Sequence, residues 1–201
     1  MSLPLRLCLV GYWTALALWL SALVTAGISA TMVFGRLPGI PMTLQRFGSY
    51  PDAEHGRIAA GLVMADIFFA VDFVQFIVIP LTLVTLAFQV TVFGASWRAP
   101  ANLVRSGCLF LAAALFAGYA IGLAPTLNGE LRLFWAAAEA GDAGAAEQHR
   151  ALFAAGHGTA ALILKTNLLL VLAGLAASAV APGPATAPRP ELDTPRLAMT
   201  R

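Results

Sequence analysis

Three ionisable side chains stand inside stretches of sequence that are otherwise almost entirely apolar. Asp66 and Asp72 interrupt one such stretch, and Lys165 interrupts a later one. Carboxylates and an amine in this setting can relay protons or ions, or they can pair and fix how helices pack. Either role requires partners, because a charge near the centre of a bilayer costs about 2.5–3.5 kcal/mol on insertion scales.

Matching depth in the membrane suggests which groups meet. Asp72 and Lys165 each lie about midway along their stretch, and the two stretches run in the same direction, so a buried Asp72–Lys165 pair is predicted. Gln75 follows Asp72 on the same helical face. Asp66 lies about 9 Å further along the axis, at the depth of His157, which predicts a second contact. The predicted polar network comprises Asp66, Asp72, Gln75, His157, Lys165 and Asn167.

The histidines allow a different chemistry. His55, His149 and His157 fall at the same end of the predicted helices, and imidazoles from two helices can bind haem or copper. However, His149 and His157 are about 80° away from a common helical face, and no clustered metal motif accompanies them. Cys8 and Cys108 form no Cys/His cluster either. The sequence therefore predicts no metal and no cofactor, with haem or copper binding as the less favoured alternative.

Long apolar helices must carry these side chains. Residues 7–34, 58–93, 103–127 and 151–180 each reach the roughly 20 residues that a transmembrane helix needs. The chain is 59% hydrophobic and 11% charged, whereas soluble domains average about 25% charged residues. The predicted fold is an all-α, up-and-down bundle of four helices in a lipid bilayer, spanning residues 1–180. Pro80 predicts a kink in the second helix, and residues 181–201 are predicted to be a disordered, proline-rich tail.

The segments between these helices differ in character. Residues 35–57 contain three prolines and cannot form one helix. The short link at 94–102 implies antiparallel neighbours. Residues 128–148 are predicted to form a loop whose apolar side chains rest at the membrane interface. Asp142 is expected to be the N-cap of the fourth helix, which would make residues 143–148 a helical shoulder above the membrane.

Arginines near the helix ends predict the orientation. The segments on the side of the termini hold six arginines and the opposite loops hold five, so the close flanks Arg6, Arg98 and Arg105 decide for a cytoplasmic N-terminus and C-terminus under the positive-inside rule. Arginine in place of lysine, together with many alanines and glycines, indicates a GC-rich bacterial genome. The predicted location is the bacterial inner membrane. A cleaved signal peptide is the alternative for the first segment, but its apolar run exceeds the roughly 7–15 residues of a signal core.

Small residues recur on two of the helices. Ser21, Thr25 and Ser29 share a spacing of four, as do Gly118 and Gly122. Such stripes let helix backbones approach closely in lipid. We expect them to pack helices within the chain, and the alternative is an interface between two copies.

Short motifs resemble a known family. Residues 53–58 read Ala-Glu-His-Gly-Arg-Ile and lead into the helix with Asp66, and the last helix begins with Phe153, His157 and Thr159 before Asn167. This pattern resembles the bacterial domain of unknown function 4149, which is related to the transmembrane-protein-205-like family. The resemblance implies a small four-helix membrane protein in which His157 and Asn167 matter, although a serine is usual where Thr159 stands. It implies no activity.

No enzyme class has its signature in this chain. Hydrolase, P-loop and dinucleotide-binding motifs are absent from the sequence, and a net charge of +2 without a basic patch gives no reason to expect nucleic acid. The leading hypothesis is a non-enzymatic polytopic membrane protein. Its polar network would be structural or would serve assembly, either as a homo-oligomer or with another membrane protein. The alternative is a permeation element for solutes, ions or protons.

Overall fold

Five α-helices make up nearly all of the computed structural model, which describes residues 2–181. They are α1 (Leu3–Arg36), α2 (Asp52–Thr91), α3 (Pro100–Gly118), α4 (Ala124–Ala140) and α5 (Ala143–Val180). A π-helical turn, Tyr119–Leu123, joins α3 to α4 without a break, so these two form one rod. Two short 3-10 turns, Leu37–Gly39 and Gln45–Phe47, lie between α1 and α2. No residue in the described range forms a strand, which confirms the all-α prediction. The predicted tail lies outside the described residues from Pro182 onward.

The four rods are long and apolar enough to cross a membrane. They contain 37 to 41 residues each, or about 55–60 Å of helix, whereas the hydrocarbon core of a bilayer is about 30 Å thick. The chain is therefore a multi-pass membrane protein whose rods extend well beyond the hydrocarbon. Pro80 lies inside α2, and the helix continues on both sides of it. The kink itself stays a prediction.

Neighbouring rods run antiparallel, as predicted for an up-and-down bundle. α1 packs along α2, and α5 packs along both halves of the α3–α4 rod. α1 also contacts α5, while α2 and α3 touch only locally. As a result, α2 and α5 lie diagonally across the bundle and are not packing neighbours.

The two ends of the bundle are built from different segments, and we call them the terminal end and the loop end. The terminal end contains the start of α1, the link at 92–99 and the end of α5. The loop end contains residues 37–51 and the turn at Gly141–Asp142. Between the ends, a core around Leu16, Val78, Leu109 and Val171 joins all four rods.

A second apolar cluster fills the loop end. It brings together residues of the α1–α2 connection, α2, α4 and the start of α5: Phe47, Tyr50, Ile58, Phe134, Ala138 and Ala146. Ion pairs at its surface include Arg46–Glu139 at 2.9 Å and Glu54–Arg57 at 2.8 Å. The loop end is therefore a packed cap with a charged exterior.

The loop predicted between the third and fourth helices is wrong over residues 128–140, whereas the helical shoulder predicted for residues 143–148 is confirmed as the start of α5. α4 continues to Ala140 because its face of Leu127, Phe134 and Ala138 is buried at helical spacing. The helix stops at Gly141, whose φ of 74° is the left-handed conformation that suits glycine at a helix end. The predicted cap of α5 is confirmed, since the Asp142 Oδ1 accepts a hydrogen bond from the Ala145 N–H at 3.0 Å.

Candidate functional site

Asp72 on α2 faces the α3–α4 rod. Its Oδ1 accepts a hydrogen bond from the Gln75 Nε2 at 3.4 Å, and its Oδ2 accepts one from the Tyr119 hydroxyl at 3.5 Å. Gln75 is buried, and its Oε1 accepts from the Trp19 Nε1 at 3.3 Å. These four side chains connect α1, α2 and the π-helical turn. Asp72 and Gln75, which were predicted to share one helical face, are hydrogen-bonded to each other.

The predicted Asp72–Lys165 pair is not formed. Leu164 packs toward α1 and α2, and the next residue is rotated by about 100° around the helix. This turns Lys165 to the outside of α5, where it is exposed. No carboxylate of the described residues lies within ion-pair distance of its amine. Equal depth was not sufficient for pairing, because α2 and α5 are diagonal in the bundle.

The predicted Asp66–His157 contact is not formed either, for the same reason. Asp66 is exposed on the outer face of α2, and His157 is exposed on α5. The imidazole of His157 lies against Phe153 of its own helix, with ring centroids 5.1 Å apart.

Asn167 is the one remaining member of the predicted network. It is buried, one turn before the core residue Val171, and its Oδ1 has no hydrogen-bond partner in the described residues. Asn167 therefore faces the interior while Lys165, two residues earlier, faces outward. The structure divides the predicted network into an Asp72–Gln75 pair, a buried amide and three outward-facing groups.

A buried arginine at the terminal end forms a second polar cluster, which was not predicted. Arg105 is 5% exposed, and its Nη1 donates to the Gln89 Oε1 at 3.1 Å. The guanidinium also lies 5.5 Å from the centroid of the Tyr12 ring, a distance suited to cation–π attraction. The Tyr12 hydroxyl and the Ser178 Oγ are 2.6 Å apart. Each of the four rods thus contributes one side chain to this cluster.

The sequence had pointed to Arg105 only as a marker of orientation. A usable signal was present, since Asn102, Arg105, Leu109, Ala112 and Phe116 follow one another at spacings of three and four and all are buried. Such spacing places five residues on a single helical face. Part of the hydrogen-bonding capacity remains unused, because the Arg105 Nε and the Gln89 Nε2 are buried without a partner in the described residues.

His55 holds the loop end together. It is fully buried, its Nε2 donates to the carbonyl oxygens of Phe47 and Tyr50 at 2.9 and 3.1 Å, and its Nδ1 accepts from the Leu44 N–H at 3.1 Å. Accepting at Nδ1 requires the neutral ring with its proton on Nε2. The lone pair that a metal would need is therefore already used. His149 lies 2.8 Å from Glu130.

The three histidines do not converge, and the described residues hold no group of three or more metal-binding side chains.

The stripes of small residues lie outside the chain's own packing. Ser21 and Thr25 are exposed and Ser29 is half-buried. Gly118 and Gly122 are exposed, with no atom within 4 Å of the place where a Cβ would stand. The neighbouring alanines of the same α1 stripe, Ala22 and Ala26, are buried and pack with Val71 of α2. Packing within the chain is therefore confirmed for these alanines and wrong for Ser21, Thr25, Gly118 and Gly122. The alternative, an interface between molecules, stays a prediction.

Comparisons with protein-family models, curated proteins and solved structures gave no match to this chain. The resemblance seen in the sequence stays a prediction. The two residues that it singles out have separate surroundings, because Asn167 is buried and His157 is exposed.

Proposed function

We propose that this chain is a non-enzymatic protein of the bacterial inner membrane that functions as an assembly unit, associating through its helices with other membrane-embedded chains. The observation that carries the proposal is the position of Lys165. Its amine lies on the outer face of α5, surrounded by exposed leucines such as Leu162 and Leu169.

The depth of Lys165 gives this position its weight. The residue lies midway between Arg150 and Val180, about 22 Å of helix from each. An isolated bundle would present this amine to lipid, at a depth where charged side chains usually find a partner. The long side chain can extend toward the headgroups and reduce the cost. A carboxylate on a neighbouring chain would offset the remainder.

The outward-facing small residues support the same proposal. Ser21 and Thr25 on α1, and Gly118 and Gly122 on the α3–α4 rod, leave a shallow surface on which another helix can pack closely. These four residues are exposed, and small residues at exposed positions are typical of helix–helix interfaces in lipid.

The proposal includes an orientation with both termini in the cytoplasm. The support is the position of Arg6 and Arg98, which closely flank the apolar segments at the terminal end, while five arginines lie at the loop end: Arg36, Arg46, Arg57, Arg132 and Arg150. Arg105 is left out of this comparison of arginines because it is buried. A reporter that works only in the cytoplasm should be active when it is fused after Val180. If only a reporter that works outside the cytoplasm is active there, the orientation is the reverse of the proposed one.

Association can be tested with the full chain carrying either of two affinity tags in one membrane. After membranes are dissolved into polymer nanodiscs, purification through the first tag should recover the second tag or a distinct partner protein. Lys165→Leu should reduce this recovery, while Thr159→Ala, at an exposed position of α5 about 120° around the helix from Lys165, should not. Recovery of single chains alone, with no partner of any kind, would overturn the proposal.

Asp72 favours a second candidate, permeation of protons, ions or solutes. Its carboxylate is half-buried beside a π-helical turn, an irregularity that is frequent at functional sites. A flux assay in reconstituted liposomes, comparing the wild type with Asp72→Asn, tests this candidate. Flux that depends on Asp72 would favour permeation over assembly.

A further inference from the structure

We propose that the partner is a second copy of this chain in the same orientation, and that Lys165 of one copy binds Asp66 of the next. This inference rests on the proposed assembly function and specifies its partner and contact. The two charges lie on opposite outer faces of the bundle, so no chain can join its own pair, whereas adjacent copies can.

The opposition of the two faces follows from the packing. α2 and α5 are diagonal in the bundle, and Asp66 and Lys165 each point away from it. On α2, exposed Phe69 and Phe73 lie near Asp66, and on α5 exposed Leu162 and Leu169 flank Lys165. Each face is therefore an apolar surface that contains one charge, and the two charges have opposite sign.

When both copies share one orientation, the Cα atoms of Asp66 and Lys165 differ in depth by about 9 Å. Val71 and Leu164 belong to the same packed cluster, together with Ala22 and Ala26, which places them at a similar depth. Asp66 lies five residues closer to the loop end than Val71, and Lys165 lies one residue further from that end than Leu164, which together give this offset. Both helices start at the loop end, so both side chains lean toward it, and the flexible four-carbon stem of Lys165 has to bridge the offset.

Like charges disfavour a two-fold symmetric contact between two copies. A two-fold contact through the α5 face would bring Lys165 against Lys165, and one through the α2 face would bring Asp66 against Asp66. Repulsion in a low-dielectric medium disfavours both. The contact between unlike faces is heterologous, so it repeats from copy to copy and forms a ring if the rotation closes.

Chemical cross-linking in the membrane can test which faces meet. In a background of Cys8→Ala and Cys108→Ala, one chain carries Asp66→Cys and a differently tagged chain carries Lys165→Cys. A short bifunctional thiol reagent should join the two chains when they are co-expressed. Chains with either cysteine alone should not form cross-linked dimers. The control pair combines Asp66→Cys with Leu172→Cys, whose cysteine lies about 10 Å further from the loop end, and it should react poorly.

Charge reversal tests whether the pair contributes to association. Asp66→Lys or Lys165→Asp alone should weaken association about three- to thirty-fold, the range expected for one polar contact between helices in lipid. The double variant with both reversals should regain most of the lost affinity. Homodimers joined through a single cysteine position, or charge variants that associate like the wild type, would overturn this inference while leaving assembly itself intact. A wild-type chain that is single and has no partner would overturn both.

Discussion

Arg105 on α3 donates a hydrogen bond from its Nη1 to the Oε1 of Gln89 on α2, across 3.1 Å, and both side chains are buried. This bond joins two rods that otherwise touch only locally. It also provides a buried cation with a neutral acceptor, because no acidic residue of the described chain pairs with Arg105.

The first prediction concerns this contact. Gln89→Leu should lower the free energy of unfolding by about 2–3 kcal/mol, because it leaves a buried guanidinium without its acceptor. Gln89→Leu combined with Arg105→Met should cost less than the sum of the two single changes, since the double variant removes both polar groups. Unfolding in detergent micelles, followed by helical content, measures all three variants. Thr91→Ala, at an exposed position of α2, is the control, and strictly additive losses would contradict the contact.

The second prediction concerns the histidine at the loop end. His55→Ala removes the partner of three backbone groups, at Leu44, Phe47 and Tyr50, and should cost about 3 kcal/mol or more. The connection between α1 and α2 should loosen first, so trypsin should cleave after Arg46 faster than in the wild type. His157→Ala, at an exposed position, should change neither the unfolding temperature nor the cleavage rate. Unaltered cleavage in the His55 variant would show that the imidazole does not hold this loop.

The third prediction tests the close approach of the loop to α2. A Cβ at Gly56 would lie 2.5 Å from the Leu37 carbonyl oxygen and 2.9 Å from the Pro38 Cα, and backbone atoms cannot rotate away. Gly56→Ala should therefore destabilise by about 1–3 kcal/mol. Gly158→Ala is the matched control, because no atom lies within 4 Å of its Cβ position and alanine favours helix by about 1 kcal/mol. Equal unfolding temperatures for the two variants would contradict the described path of the loop.

The fourth prediction separates a structural role for Asp72 from a permeation role. Tyr119→Phe removes a hydrogen bond of 3.5 Å, near the upper limit of useful geometry, and should cost less than about 1 kcal/mol. Asp72→Asn keeps an acceptor for Tyr119 and should be similarly mild. If the role is structural, liposomes containing either variant should show the same proton and ion flux as the wild type. Loss of a measurable flux in both would instead favour permeation.

The sequence predicted the helices well because lipid imposes a simple condition. A run of about 20 apolar residues must form a helix in hydrocarbon, and local chemistry was enough to predict the cap at Asp142. The charges in residues 128–141 suggested a loop. Glu130 and Glu139 lie instead on α4, whose other face packs around Phe134 and Ala138.

The pairing of Lys165 could not be predicted from depth alone. Depth gives one coordinate along the helix axis, whereas a contact also requires that two helices be neighbours and that both side chains turn toward each other. The order of helices around the bundle leaves little trace in one sequence. The burial of Arg105 was accessible in principle, through its spacing with Asn102 and Leu109, but its place at a helix end suggested a role in orientation.

Counting the copies in one assembly tests the central proposal most directly. Full-length chains carrying one fluorophore each can be extracted from membranes into polymer nanodiscs and counted by stepwise photobleaching. Two or more steps are expected for the wild type, and mostly single steps are expected for Lys165→Asp. A wild-type protein that bleaches in single steps throughout would contradict self-association through Lys165 and Asp66.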